Sequence, residues 1–183
     1  LCYVWEDCCG SSGPMVSPPI FARFYVPWYR AWKRFLRDRG VPWVVMDTDG
    51  DPTPLVGLWS ESGVDCILPW EVNSVDMLSA AERHPELVFM GGLYKHMFEP
   101  GAPEQVGRFA STNVGQAVAL ELARVVEPMR RRGGYFPSLD HWVYPAVDYQ
   151  DFTAYCRILE SQYGVANRST RFLPQASTDT QGG

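Results

Sequence analysis

Ionisable residues recur in this sequence directly behind apolar runs. Glu6-Asp7 follow Leu1 to Trp5, and Asp47, Asp49 and Asp51 follow Trp43 to Met46; Glu71 comes behind Val64 to Leu68, Lys95 behind Leu87 to Met90, and Asp140-His141 behind Tyr135 to Leu139. Two carboxylates two residues apart, opposed by an aspartate and an imidazole, offer oxygen and nitrogen ligands suited to a harder or borderline divalent cation. The expected metal site takes Asp47, Asp49, Asp140 and His141, with Glu6 or Glu71 as a further ligand or general base. A plainer reading makes Asp49-Gly50 a turn, Asp47 a helix cap and His141 the partner of a nearby carboxylate. Lys95 follows two glycines that let a ligand approach the backbone, so it can pair with a substrate carboxylate or phosphate, or form an ordinary surface ion pair.

Other residue types add less. Cys8 and Cys9 have neither a helix N-terminus nor a nearby base to activate them and read as inert thiols. His84 and His96 read as surface histidines. Trp28, Trp32, Trp59 and Phe152 fall at helical spacing and are expected in the core. Trp5, Trp70 and Trp142 adjoin strand ends and are candidates to line a wide pocket for a flat ligand; Trp70, Tyr144 and Lys95 form the expected substrate-binding set.

The elements that would position these residues alternate. Five apolar runs, at Leu1–Trp5, Trp43–Met46, Val64–Leu68, Leu87–Met90 and Tyr135–Leu139, read as strands apolar on both faces, hence a parallel sheet covered by helices. Between them lie helical signals: Ser17-Pro18 as cap and first-turn proline, and a second start at Pro27 ending at Gly40. Further signals are Pro54 to Ser62 closed by Gly63, a helix through Val75, Leu78 and Ala81, and a longer stretch from Ala102 to Arg132 stopped by Gly133-Gly134. Arg130-Arg131-Arg132 suits the negative pole of a helix C-terminus and reads as a solvated helix end. A last helix begins near Asp148, and residues 164–183 read as a polar tail without chemistry. Right-handed crossovers put every strand's C-terminal end on one side, where α/β enzymes carry their sites, so the five polar clusters form one functional face.

Composition narrows the classes. The 183 residues carry 16 Lys+Arg against 21 Asp+Glu, a formal net charge of -5, which gives no bulk attraction to nucleic acid or anionic lipid. Charges or prolines interrupt every hydrophobic run, so no membrane span is expected. Five cysteines form neither an even set nor a CxxC pair, which suits a reduced, cytoplasmic protein. A small-molecule partner is the natural expectation. The chain opens at Leu1 inside a strand-like run, and a cut start is expected.

An ordered set of motifs then carries a family likeness. Glu6-Asp7, Gly13-Pro14-Met15-Val16-Ser17-Pro18, Pro27-Trp28-Tyr29, Asp47-x-Asp49-Gly50, Pro69-x-Glu71, Gly91-Gly92-x-x-Lys95 and Gly133-Gly134-Tyr135-x-Pro137-x-x-Asp140-His141 resemble, in that order, the uroporphyrinogen decarboxylase superfamily. The resemblance implies a (β/α)8 TIM barrel, of which residues 1–163 would hold about five C-terminal β/α units. A closed barrel usually needs about 250 residues, so the chain reads as truncated and inactive alone. The family holds porphyrinogen decarboxylases and methyltransferases that move methyl groups between corrinoid proteins and thiols. Of the decarboxylase signatures only Asp7 and His141 carry over. The methyltransferases' zinc-binding His-x-Cys-Gly is replaced by Asp47-x-Asp49-Gly50. The resemblance therefore implies methyl transfer with a corrinoid protein partner and a metal-assisted site, zinc or a harder cation. The alternatives are cofactor-free decarboxylation of a tetrapyrrole, or a truncated barrel without activity. Glu6, Asp7, Glu71 and His141 are the candidate catalytic residues.

Overall fold

The computed structural model describes residues 1–72, 76–98 and 114–164. Five parallel strands form one sheet: β1 (Cys2–Trp5), β4 (Val44–Asp47), β5 (Cys66–Trp70), β6 (Val88–Leu93) and β7 (Tyr135–Leu139), in the order β1-β4-β5-β6-β7. A small antiparallel ribbon, β2 (Cys9–Gly10) with β3 (Gly13–Pro14), folds over the end of β1. Each strand of the sheet lies beside its predecessor and steps in the same direction. A doubly wound sheet would reverse its order at a switch point, so this arrangement is singly wound. Right-handed crossovers then place the helices on one face. Consecutive helices accordingly touch: α2 (Val26–Arg37) meets α3 (Val56–Ser62), and α5 (Val114–Arg132) meets both α4 (Met77–Arg83) and α6 (Tyr149–Tyr163).

The core lies between that helical layer and the sheet. Met46, Ile67 and Phe89 are register neighbours on β4, β5 and β6, and all three are fully buried. Trp59 of α3 joins them from the helix side, edge-on to Phe21 at 5.7 Å. The opposite, concave face is open at its margins: Tyr3, Trp5 and Phe136 are 52%, 78% and 62% exposed. The outer strands are thus not covered on both faces, which corrects the reading of every strand as apolar-in on two sides. The alternation Cys2-Tyr3-Val4-Trp5 already has the period of a half-buried strand.

Local differences have local causes. The two helix starts at Pro18 and Pro27 merge: α1 (Pro18–Ile20) runs through a π turn (Phe21–Tyr25) into α2. Pro27 has no N–H to donate into the preceding turn, and a π insertion is a usual way for a helix to absorb such a gap. Trp28, expected in the core, is 58% exposed; the buried face of α2 centres on Val26 and Tyr29, and Trp28 stacks beside it on Trp32 at 5.5 Å. Asp76 caps α4 by accepting from the backbone N–H groups of Leu78 and Ser79, and Asp148 caps α6 by accepting from that of Gln150. Val75, residues 102–113 and the expected tail beyond Gly164 lie outside the described residues.

Arg132 departs furthest from expectation. Instead of ending α5 in solvent, its guanidinium donates to the carbonyls of Ala81 (3.0 Å), His84 (2.7 Å) and Leu87 (3.0 Å) and lies over the Phe89 ring at 4.9 Å. Ala81 and His84 carry orphan carbonyls at the C-terminus of α4, and Leu87 leads into β6. The planar fork of Arg thus ties three segments together at the N-terminal end of the sheet.

Candidate functional site

A cavity of about 600 Å³ takes its lining from the exposed face of β1 and β4, from the end of β7 and from Phe152, Tyr155, Cys156 and Leu159 of α6. Tyr3 and Trp5 of β1 form one wall, with Asp47 and Asp49 beside them. Ser138, His141 and Trp142 approach from the end of β7, and Tyr155 of α6 contributes aromatic surface. Parallel register aligns these residues: Trp5 pairs with Asp47, and Asp47 with Leu68 of β5, so all three point to one face.

Asp47, Asp49 and His141 are the three expected site residues brought together here. His141 Nε2 stands 3.7 Å from Asp49 Oδ1. Its Nδ1 atom is buried with no hydrogen-bond partner among the described residues. Tyr3 donates its hydroxyl to Asp47 Oδ2. Burial raises the Asp47 carboxyl above the ordinary aspartate range; Asp49 adds to the shift and His141 opposes it. Asp49 is raised for the same reason, with His141 opposing, Asp7 and Glu71 adding, and Lys95 opposing. The arrangement can hold and move a proton at the imidazole, with a carboxylate to orient the ring.

The remaining expected residues position the loops. Asp140 is 2% exposed and accepts from the backbone N–H groups of Val72 (3.0 Å) and Lys95 (2.9 Å), while its own N–H donates to Leu93. One carboxylate therefore joins the ends of β5, β6 and β7. Burial raises its pKa, and those two hydrogen bonds pull the other way. Glu71 accepts from Gly50 N–H at 3.1 Å and fixes the loop that presents Asp49. That loop packs so closely on the ribbon that a Cβ at Gly50, where φ is +72°, would lie 2.3 Å from the Gly10 carbonyl carbon. Glu6 accepts from the Tyr29 hydroxyl and anchors the end of β1 to α2. Asp7 enters the site through its charge, which acts on Asp49.

Three substrate-binding expectations are relocated. Trp70 is fully buried, tilted against Phe89 at 4.8 Å, with its indole N–H on the Ile67 carbonyl at 3.0 Å. The strand runs on to Trp70, through a register shift between Ile67 and Trp70. Three residues apart, these two would face opposite sides of a regular strand; the shift returns Trp70 to the core face. Tyr144 stacks on His96 at 5.1 Å, and neither Tyr144 nor Lys95 is among the residues lining the cavity. Sequence reasoning missed Tyr3 and Ser138, although the period-two alternation of β1 puts Tyr3 on the face of Trp5.

Among the described residues no three His, Cys, Asp or Glu side chains stand close enough to share a metal. Asp47 shares one carboxylate oxygen with the Tyr3 hydroxyl, and Asp140 holds two backbone N–H groups. The thiols differ: hydrogen bonding to Cys9 and burial raise Cys8, hydrogen bonding with Cys8 lowers Cys9, burial pushes Cys66 up to about 12, and Cys156 lines the cavity. Among the described residues no helix is long and apolar enough to cross a membrane. No protein-family model and no curated protein matches the chain.

Proposed function

We propose that the protein is an enzyme of the uroporphyrinogen decarboxylase-like type that transfers a methyl group from a small donor to the corrinoid of a partner protein. We also propose that its sheet is five consecutive strands of a (β/α)8 barrel. The single winding order, the helices on one face and the exposed concave residues Tyr3, Trp5 and Phe136 support the barrel reading. β1 and β7 each have one unpaired edge among the described residues, where the further strands of a closed barrel would add.

The observation that carries the reading is the Asp49–His141 pair at the edge of the cavity. In methyl transfer the donor's heteroatom keeps the electron pair of the bond to carbon as the methyl group moves to the corrinoid. His141 supplies a proton to that heteroatom, and Asp49 orients the ring and stabilises its charged form. Trp5 and Trp142 offer apolar ring surface to the donor. No step is routed through a resident metal ion.

Decarboxylation of a porphyrinogen polycarboxylate fits less well. Glu6, Asp7, Asp47, Asp49, Asp51, Glu71 and Asp140 crowd the strand ends, and Lys95, their lone lysine, stands off the cavity. A polyanion would meet repulsion here. The test uses the protein expressed from its full open reading frame. It is expected to methylate cob(I)alamin from at least one of a panel of methylated amines, thioethers and ethers, followed by the visible absorbance of methylcobalamin, and to leave uroporphyrinogen intact. Carbon dioxide release from uroporphyrinogen without cob(I)alamin methylation overturns the reading.

A further inference from the structure

The cavity combines two features that select one ligand chemistry. Its walls include the rings of Trp5 and Trp142, 78% and 75% exposed and so available to a ligand. Its ionisable lining is Asp47 and Asp49 against the single imidazole of His141. Asp7 and Glu71 add negative charge within reach of Asp49, against the one positive charge of Lys95. An indole face attracts a cation through its quadrupole, and a carboxylate attracts it through charge. A neutral ligand would gain from the first wall only as apolar surface, and an anion would be repelled by the second.

We propose that the strand-end cavity binds an alkylated ammonium ion, seated between the Asp47/Asp49 carboxylates and the indoles of Trp5 and Trp142. The inference rests on reading this cavity as the enzyme's site, and it names the class of small donor. A quaternary or tertiary ammonium of choline size fits a cavity of about 600 Å³ with room for the approaching partner. His141 Nε2 stands 3.7 Å from Asp49 Oδ1, so the imidazole adjoins the ammonium's seat, within reach of the departing nitrogen.

The test is titration of the full open-reading-frame protein with choline, followed by tryptophan fluorescence and calorimetry. The controls are 3,3-dimethyl-1-butanol, its neutral isostere, and tricarballylate, a polyanion. Choline is expected to bind and to perturb the fluorescence, with the isostere at least about tenfold weaker and tricarballylate without effect. Asp49→Asn should weaken choline about fivefold and leave the isostere unchanged. Trp142→Leu, on the opposite wall, should weaken both while the unfolding midpoint stays at the wild-type value. Equal affinity for choline and the isostere, tighter binding of tricarballylate, or no choline binding at millimolar concentration overturns the proposal. Methylation of cob(I)alamin from the thioether and ether donors is read separately, so absence of choline binding with that methylation intact rejects the ligand class and keeps the proposed reaction.

Discussion

Replacing Arg132 with alanine should destabilise the fold without touching the site. The wild-type guanidinium donates to the carbonyls of Ala81 and His84 at the end of α4, of Leu87 ahead of β6 and of its own neighbour Gly133, and covers Phe89; the Gly133 bond is local, so three bonds clamp the fold. A hydrogen bond involving a charged group contributes about 1.5–3 kcal/mol when buried. Arg132 is only half-buried, so roughly 1 kcal/mol each is the appropriate value, with roughly 0.5 kcal/mol from the ring contact. The freed side-chain entropy, about 1.5–2 kcal/mol, opposes these. The net loss is about 2 kcal/mol, which at a urea dependence of about 2 kcal/mol/M moves the midpoint down by about 1 M. Arg132→Lys keeps the charge but cannot span three acceptors, and should lose about half as much. Urea unfolding followed by circular dichroism measures both. Because Arg132 sits at the N-terminal end of the sheet, ligand affinity at the opposite end should be unchanged. An alanine variant within 0.5 kcal/mol of wild type, or a lysine variant equal to wild type, refutes the clamp.

Three other outcomes follow from the site and its support. Trp70→Ala should cost about 3–5 kcal/mol in urea unfolding, as expected for a fully buried indole; a small loss with altered ligand binding would return Trp70 to the cavity wall. Binding of an organic cation should fall as pH drops, because Asp47 and Asp49 lose charge on protonation and both titrate above the ordinary aspartate value of about 3.9. The loss therefore begins above pH 4; affinity constant down to pH 4 contradicts this. After equilibration with zinc and gel filtration, the wild type should retain less than one equivalent. Stoichiometric metal that disappears in Asp49→Ala would replace the proton-transfer reading with a metal centre.

The alternation of apolar runs and capped helical segments made the parallel sheet legible, because each signal is local: Asp148, Gly63 and Gly164 do at the helix ends what their chemistry dictates. The polar residue behind each strand located the end of the sheet where the cavity opens. What the sequence withheld was the division of labour among those residues. Asp47, Asp49, Glu71 and Asp140 are chemically alike, yet the folded loops give two of them to the cavity and two to backbone N–H groups 21 to 68 residues away. Trp70 was misplaced because a register shift changes which face a side chain meets, and no residue type announces that shift unambiguously. Arg132 looked like a solvated helix end because its acceptors are carbonyls, which leave no trace in the identities of Ala81, His84 and Leu87.

The most direct test of the account is the rate of cob(I)alamin methylation from the panel of small methyl donors by the full open-reading-frame protein, compared with its His141→Ala variant at equal fold stability. The account predicts activity in the wild type and a loss of about 10²-fold or more in the variant, the usual range for removing a proton-transfer group. Equal rates in the two proteins, or no methylation by the wild type, would contradict it.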